Sequence, residues 1–366
     1  MTKTEYIPNS PSSLSDRTPD LKTLYQRLAN LGFPRKYVRD VLLPDWWCDE
    51  FEQEKGAVVE AAAYISQRTG LNFRNLLDID REPEFQEDQH PCYKLRQETT
   101  KNSLAAARSL AERIAAITAY ACKPPLVSVE NLDPQIARSQ ILETSEFVNL
   151  QSLLDFCWRH GIPVVHTNNF PKEKGQKKFD GMVGEYSDRP VIVISKNQKS
   201  PAWLAFILAH ELGHIVCGHI KGSSIIDEKI EHDQIGDINE QEADQFAIEI
   251  LFGRRNASYE TQTNLDLKSL KSHVKACSVQ DDVDPALIVL NYAWFKANSV
   301  NTKEAKGKLW QEANVLLTNF KESDIIAPQL INHQLQKYLD WGNLSHDHQE
   351  FLERMTKIEG ASFGGY

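Results

Sequence analysis

Apolar positions recur every three to four residues from Leu21 to about Leu77, the spacing of helices that bury one face. The pattern predicts a helix over LKTLYQRLANLG ending at Gly32, a second opened by Pro34 and running through Leu43, and a third over Val58–Arg68 that stops before Gly70. Leu43-Pro44-Asp45-Trp46-Trp47 breaks the run, and its paired tryptophans read as anchors for helix packing. Residues 1–20 are rich in Ser, Thr, Pro and Asn and are expected to form a disordered tail. Arg81–Tyr93 reads as an acidic loop. From Lys94 to Cys122 the positions Leu104, Ala107, Leu110, Ala111, Ile114 and Ile117 repeat at helical spacing, until Pro124-Pro125 stops them. Residues 21–125 are therefore expected to be a helical N-terminal domain with some helix-turn-helix rhythm.

Beyond Pro125 the period changes. A helix over Leu150–His160 leads into the β-branched run IPVVHTNNF, which reads as a strand. Two more strands follow, Gly181–Tyr186 and Val191–Ser195, around a turn at Ser187–Pro190. Then comes an apolar helix from Ser200 to the Gly218-His219 exit, and another over Asn239–Phe252. Helices are predicted again over Leu267–Cys277, Pro285–Ala297 and Lys303–Phe320, with two more up to about Lys357 and a flexible GASFGGY tail. The fold class expected is α+β and mainly helical. A small sheet lies beside one buried helix in residues 126–300, and residues 301–366 form a C-terminal helical extension.

The helix from Ser200 carries the chemistry. Trp203, Leu204, Phe206, Ile207, Leu208, Leu212, Ile215 and Val216 cover most of its circumference, as in a helix buried on most sides. Inside it, His210 and His214 stand four residues apart on one face, with Glu211 beside the first. Two imidazole nitrogens at that spacing can hold one zinc ion, and the adjacent carboxylate can reach a metal-bound water. Chance alone produces HExxH in a chain of this composition with a probability on the order of a few per cent, so the weight falls on context. A Glu between two His in a Trp/Phe/Ile/Leu helix is costly to bury without a cation.

A third ligand is expected in NEQEADQFAIEILF, Asn239–Phe252, whose stripe Ala243, Phe246, Ala247, Ile250 and Leu251 packs it on the core. Glu240 and Asp244 share a face, which lets Glu240 complete a His2Glu site while Asp244 takes the second N–H of a liganding imidazole. Glu242 points elsewhere and remains the competing ligand. The longer pattern HExxHxxGxxH does not apply, because Cys217 and Ile220 hold its Gly and His positions. His219 is read as capping the helix end, and His166 on the first strand is left out of the site.

Composition changes this picture little. A charged fraction of 25% and a hydrophobic fraction of 41% are those of ordinary globular proteins. The net charge of −10 disfavours a broad nucleic-acid surface, so DNA binding by the N-terminal helices is not favoured. Six cysteines without a CxxC pair indicate reduced thiols, and neither a secretory signal nor a transmembrane run is seen. A cytoplasmic location is expected.

HELGHIVCGH followed by EQEADQFAIEILF, and preceded by DGMVGEYSDRPVIVISKNQKSPAWLAFILA, resembles the ImmA/IrrE family of zinc metallopeptidases. The likeness spans about Gly161–Phe252 and is weaker through Val283–Phe295. It implies a zincin-like core, zinc ligands His210, His214 and Glu240, catalytic Glu211, and Asp244 behind one ligand. It also implies a bacterial or phage regulator that cleaves a protein partner, a transcriptional repressor, an antitoxin or the product of a neighbouring gene, in response to stress or phage-related signals. The expected reaction is Glu211-assisted attack of zinc-bound water on a peptide bond. The alternative is a zincin-fold sensor that binds a partner or DNA without cutting it. His273, Tyr259 and Tyr292 are candidates for stabilising the oxyanion.

Overall fold

The computed structural model describes residues 18–86, 104–172, 179–221, 224–227, 237–261, 265–320 and 325–358. The expected tails at both ends and the predicted helical start at Lys94–Ser103 lie outside these, apart from residues 18–20. The protein is mainly helical with a small mixed sheet of four strands, the α+β architecture that the pattern predicts. Among the described residues, no helix is long and apolar enough to cross a membrane.

Two compact units divide the chain. The first includes residues 18–86 and 104–113. Its helices are α1 (Leu21–Asn30) and α2 (Ala57–Thr69), with a helical segment at residues 35–42 that widens into a π turn rather than the regular helix expected. Leu24, Leu28, Phe33, Leu42, Ile65 and Leu76 are buried, and the α2 stripe ends at Gly70 in the left-handed conformation, the stop its sequence signals. Trp47 is buried and donates its indole N–H to Glu52, while Trp46, half exposed, sets its ring edge-on to Phe51 and to Tyr64 of α2, so both of the pair anchor packing. A further helix, α3 (Ala105–Tyr120), begins in this unit and passes into the second after Arg113.

The second unit carries the sheet. After α4 (Pro134–Leu142) and α5 (Leu150–Arg159) come β1 (Val164–His166), β2 (Gly181–Tyr186) and β3 (Arg189–Ile194). Ser187 and Asp188 both take positive φ, 50° and 60°, which matches a two-residue hairpin turn to the sheet twist. The buried helix α6 (Pro201–Val216) follows, then β4 (Ser224–Asp227) and α7 (Ile238–Phe252). Among the described residues five helices complete the unit: α8 (Leu267–Asp281), α9 (Pro285–Ser299), α10 (Lys303–Asn319), α11 (Ala327–Tyr338) and α12 (His346–Thr356). Strand order is β1-β3-β2-β4; β1 runs parallel to β3, and β2 is antiparallel to both of its neighbours. The β1 edge is closed by Asn332 of α11, whose side chain accepts from the His166 N–H at 2.9 Å and donates to the His166 carbonyl at 2.9 Å. Strand β4 ends at Asp227, whose carboxylate reaches the face of α6 that holds the histidines.

Candidate metal centre

Helix α6 opens at Pro201 after Ser200, whose extended backbone suits an N-cap although its side chain makes no capping bond. Apolar contacts seal it on nearly every side, so His210, Glu211 and His214 are drawn into the core with it. The helix ends in a Schellman motif: Gly218, at φ 73°, donates to the Ile215 carbonyl at 3.1 Å, and the His219 N–H reaches the His214 carbonyl at 3.0 Å. The reversal folds His219 back along the helix.

Helix α7 delivers the carboxylates. Asp237 caps it by accepting from the Asn239 N–H, which places Glu240 in the first turn and Asp244 one turn on, both facing α6. The two helices come close because position 213 is glycine; a Cβ there would lie 2.8 Å from the Ala243 carbonyl oxygen and 2.9 Å from its Cα. Those are backbone atoms that cannot yield. At the far end of α7, the buried Arg138 of α4 donates to the carbonyls of Ile250 and Leu251 at 3.0 and 2.9 Å, satisfying groups that a helix end leaves without partners.

His210, His214, Asp227 and Glu240 meet in one buried cluster, each offering a ligand atom within 4.8 Å of the others. The two Nε2 atoms are 3.2 Å apart. Glu240 lies 3.4 Å from His210 Nε2 and 3.8 Å from His214 Nε2; Asp227 Oδ2 lies 3.6 and 3.7 Å from the same atoms. Four donors arranged tetrahedrally at bond lengths of ~2.0–2.1 Å stand about 3.4 Å apart, so this nitrogen and oxygen set fits a zinc-sized ion. Both oxygens of Glu211, Asp227 Oδ2 and Glu240 Oε2 are buried without a hydrogen bond. Unpartnered carboxylate oxygens at such depth are costly, and a divalent cation is what would compensate them.

The far nitrogen of each imidazole is also engaged. His210 Nδ1 donates to Asp244 Oδ1 at 2.8 Å, which leaves the Nε2 lone pair aimed into the cluster. His214 has no carboxylate of its own. Its Nδ1 meets His219 Nδ1 at 2.9 Å, and His219 Nε2 meets Glu242 at 2.9 Å. With Glu242 ionised and both rings neutral, His219 gives its Nε2–H to Glu242, and its bare Nδ1 accepts from His214. The Nε2 of His214 is again left free for a ligand. Glu242, with its side chain 55% exposed, thus reaches the centre at one remove, and His219 does more than finish a helix.

Charge in the cluster follows from its depth. Burial, helped by the negative charge of Asp227, pushes the Glu211 carboxyl well above its ordinary value. Burial alone would lower the His210 imidazole, but the carboxylates of Asp227, Asp244 and Glu240 outweigh it and raise it well above its usual value. Burial and the neighbouring His210 lower His214 to about 3.

Of the predicted site residues, the structure brings His210, Glu211, His214 and Glu240 together, with Asp244 on His210. His166 stands apart, its Nε2 3.1 Å from the Lys196 carbonyl. The Tyr259 hydroxyl is committed to Asp281 at 2.8 Å, and His273 lies beside Cys277 in α8. Two residues of the centre were not anticipated: Asp227 and Gly181. A Cβ at Gly181 would stand 2.7 Å from Glu211 Cδ and closer still to Oε1, so any side chain here would push the Glu211 carboxylate from its place. Gly181→Ala is expected to retain fold and metal but to cut turnover by roughly 10²-fold, the usual cost of displacing a reacting group by about 1 Å. Wild-type turnover in that variant would show that Glu211 has room to spare.

Residues 157–276 match the family model Peptidase_M78, the IrrE N-terminal-like domain. The match covers about a third of the chain and takes in the sheet, α6 and α7. It supports the ImmA/IrrE family for this segment, and with it a metallopeptidase-like function. No curated protein matches the chain.

Proposed function

We propose that this protein is a zinc-dependent endopeptidase of the cytoplasm that cleaves a regulatory protein partner, a repressor or antitoxin being the kind expected. The observation that carries this reading is the fully buried, unpartnered Glu211 carboxylate beside two imidazoles whose free nitrogens converge with Glu240 and Asp227. A zinc ion held by His210, His214 and Glu240 would supply Lewis acidity, polarising the scissile carbonyl and acidifying a water molecule. Glu211 takes the proton of the attacking water and passes it to the departing amine, a task suited to a carboxyl whose proton affinity burial has raised well above its ordinary value. Asp244 and the His219–Glu242 pair hold the two imidazoles in the ligating tautomer. Gly181 leaves Glu211 the space to reach the water.

The test is incubation of zinc-loaded protein with co-expressed products of adjacent genes and with an unbiased peptide library. Cuts at defined bonds that stop with a chelator and return with zinc are expected. One observation favours a second reading, a metal-bearing sensor that binds its partner intact: Asp227 makes four protein donors, the number typical of structural zinc. Stoichiometric zinc with every partner and peptide left uncut would decide for it.

A further inference from the structure

We infer that Asp227 is a fourth protein ligand which closes the metal site of the resting protein, and that its carboxylate must swing away before a water can be activated. The inference rests on the metal reading above and concerns how that same site is controlled. Asp227 ends β4, and its backbone is fixed: it pairs with Gly181 of β2, and its carbonyl accepts from the Asp180 N–H at 2.8 Å. What remains free is the side chain. Its Oδ2 is buried, accepts no hydrogen bond, and stands nearly equidistant, at 3.6 and 3.7 Å, from the Nε2 atoms of His210 and His214. An unpartnered carboxylate oxygen centred on two imidazole nitrogens whose far sides are already engaged is placed to complete the shell of a cation.

The consequence comes from coordination number. Catalytic zinc sites keep three protein ligands and an open position, whereas four protein ligands make a closed site. Here the closed set and the catalytic apparatus coexist, since Glu211 lies in the same pocket with both oxygens unpaired. Glu211 has no water to act on while Asp227 fills the fourth position. Rotation about the Asp227 side-chain bonds vacates that position without breaking the β2–β4 pairing, so the device is a carboxylate that exchanges with substrate and water. Its Cα stays opposite Gly181, the residue that already makes room for Glu211. Closure and reaction therefore turn on neighbouring groups, the Asp227 side chain on β4 and the Glu211 carboxylate that Gly181 of β2 admits.

The experiment compares full-length wild type, Asp227→Ala and Asp227→Asn after loading with cobalt(II), using the d–d absorption spectrum, water-proton relaxation and a competition titration for affinity. Wild type is expected to show an intense four-coordinate spectrum with no exchangeable water. Asp227→Ala should gain one exchangeable water, bind cobalt at least roughly 10-fold more weakly, the lower end of what even a partner outside the coordination shell contributes, and cleave faster per loaded site. Asp227→Asn, nearly the same in shape, keeps the comparison valid should the alanine variant misfold, and should shift the spectrum in the same direction. Identical spectra and affinities in all three proteins overturn the inference while leaving the metal centre standing. A changed spectrum with slower cleavage per loaded site also overturns it, by making Asp227 a group that the reaction needs. Wild type that takes up no cobalt would instead remove the metal reading itself.

Discussion

Glu211→Gln is expected to keep its metal, its fold and its partner binding while losing peptide cleavage by about 10²–10⁴-fold, the range that a positioned general base contributes. The carboxyl is fully buried and touches no donor, so the amide substitutes with little change of shape and deletes only the ability to take up a proton. The variant should be no less stable than wild type, because a group that burial and the charge of Asp227 disfavour as a carboxylate has been replaced by a neutral one. Zinc content by elemental analysis, thermal melting and cleavage of an identified partner form the three readouts. Unchanged metal with near-complete loss of cutting assigns proton transfer to Glu211. Retained cutting would remove it from the reaction, and lost metal would make it a support for the ligands rather than a base.

What could be read ahead of the structure was what helices announce. His210, Glu211 and His214 lie on one turn of α6, and Glu240 and Asp244 on one face of α7, so residue spacing alone places each set in space. The hairpin, too, was visible in its turn residues. Asp227 escaped because a four-residue strand, SIID, has no period to display, and its approach to the histidines depends on pairing with β2 forty-odd residues away. Gly181 and Gly213 are likewise explained only by what passes beside them, a carboxylate and the backbone of another helix. The parallel pairing of β1 with β3 is a tertiary choice that neither strand encodes locally. For His219 the signal existed: glycine in the position after a helix cap puts the next side chain against the residue five back, and that residue is His214. For α4 there was one as well, Asp133 as cap with Pro134 as first helical residue, and its helix brings Arg138 to the end of α7.

Removing the metal is expected to lower stability by an amount that grows as the pH rises above about 6.5. Linkage alone sets the scale: free zinc about a thousandfold above its dissociation constant stabilises the folded form by about 4 kcal/mol. In a unit of this size that corresponds to a melting shift of roughly 10 °C. The pH dependence follows from the groups that the cation would otherwise compensate. Glu211 and His210 both hold protons more tightly in the folded apo-protein than unfolded, the first through burial and the charge of Asp227, the second because three carboxylates outweigh its burial. A raised value contributes stability below the unfolded pKa and loses it as pH climbs through the folded one. For Glu211 the loss starts above the ordinary carboxyl range, and for His210 above about 6.5, the unfolded imidazole value. Above that point the two act together, each costing up to about 1.4 kcal/mol per pH unit. His214, lowered to about 3, runs the other way. Its contribution is complete above the unfolded imidazole value and disappears as pH falls towards 3, so it opposes Glu211 in mildly acid solution and flattens the profile there. The loaded protein has already surrendered these protons to hold the cation and lacks the alkaline decline. Melts of chelator-treated and zinc-reloaded protein between pH 6 and 8.5 should therefore diverge with increasing pH. Parallel curves would mean that no cation compensates the charges around His210 and His214, and the centre would have to be read as a buried hydrogen-bonded network alone.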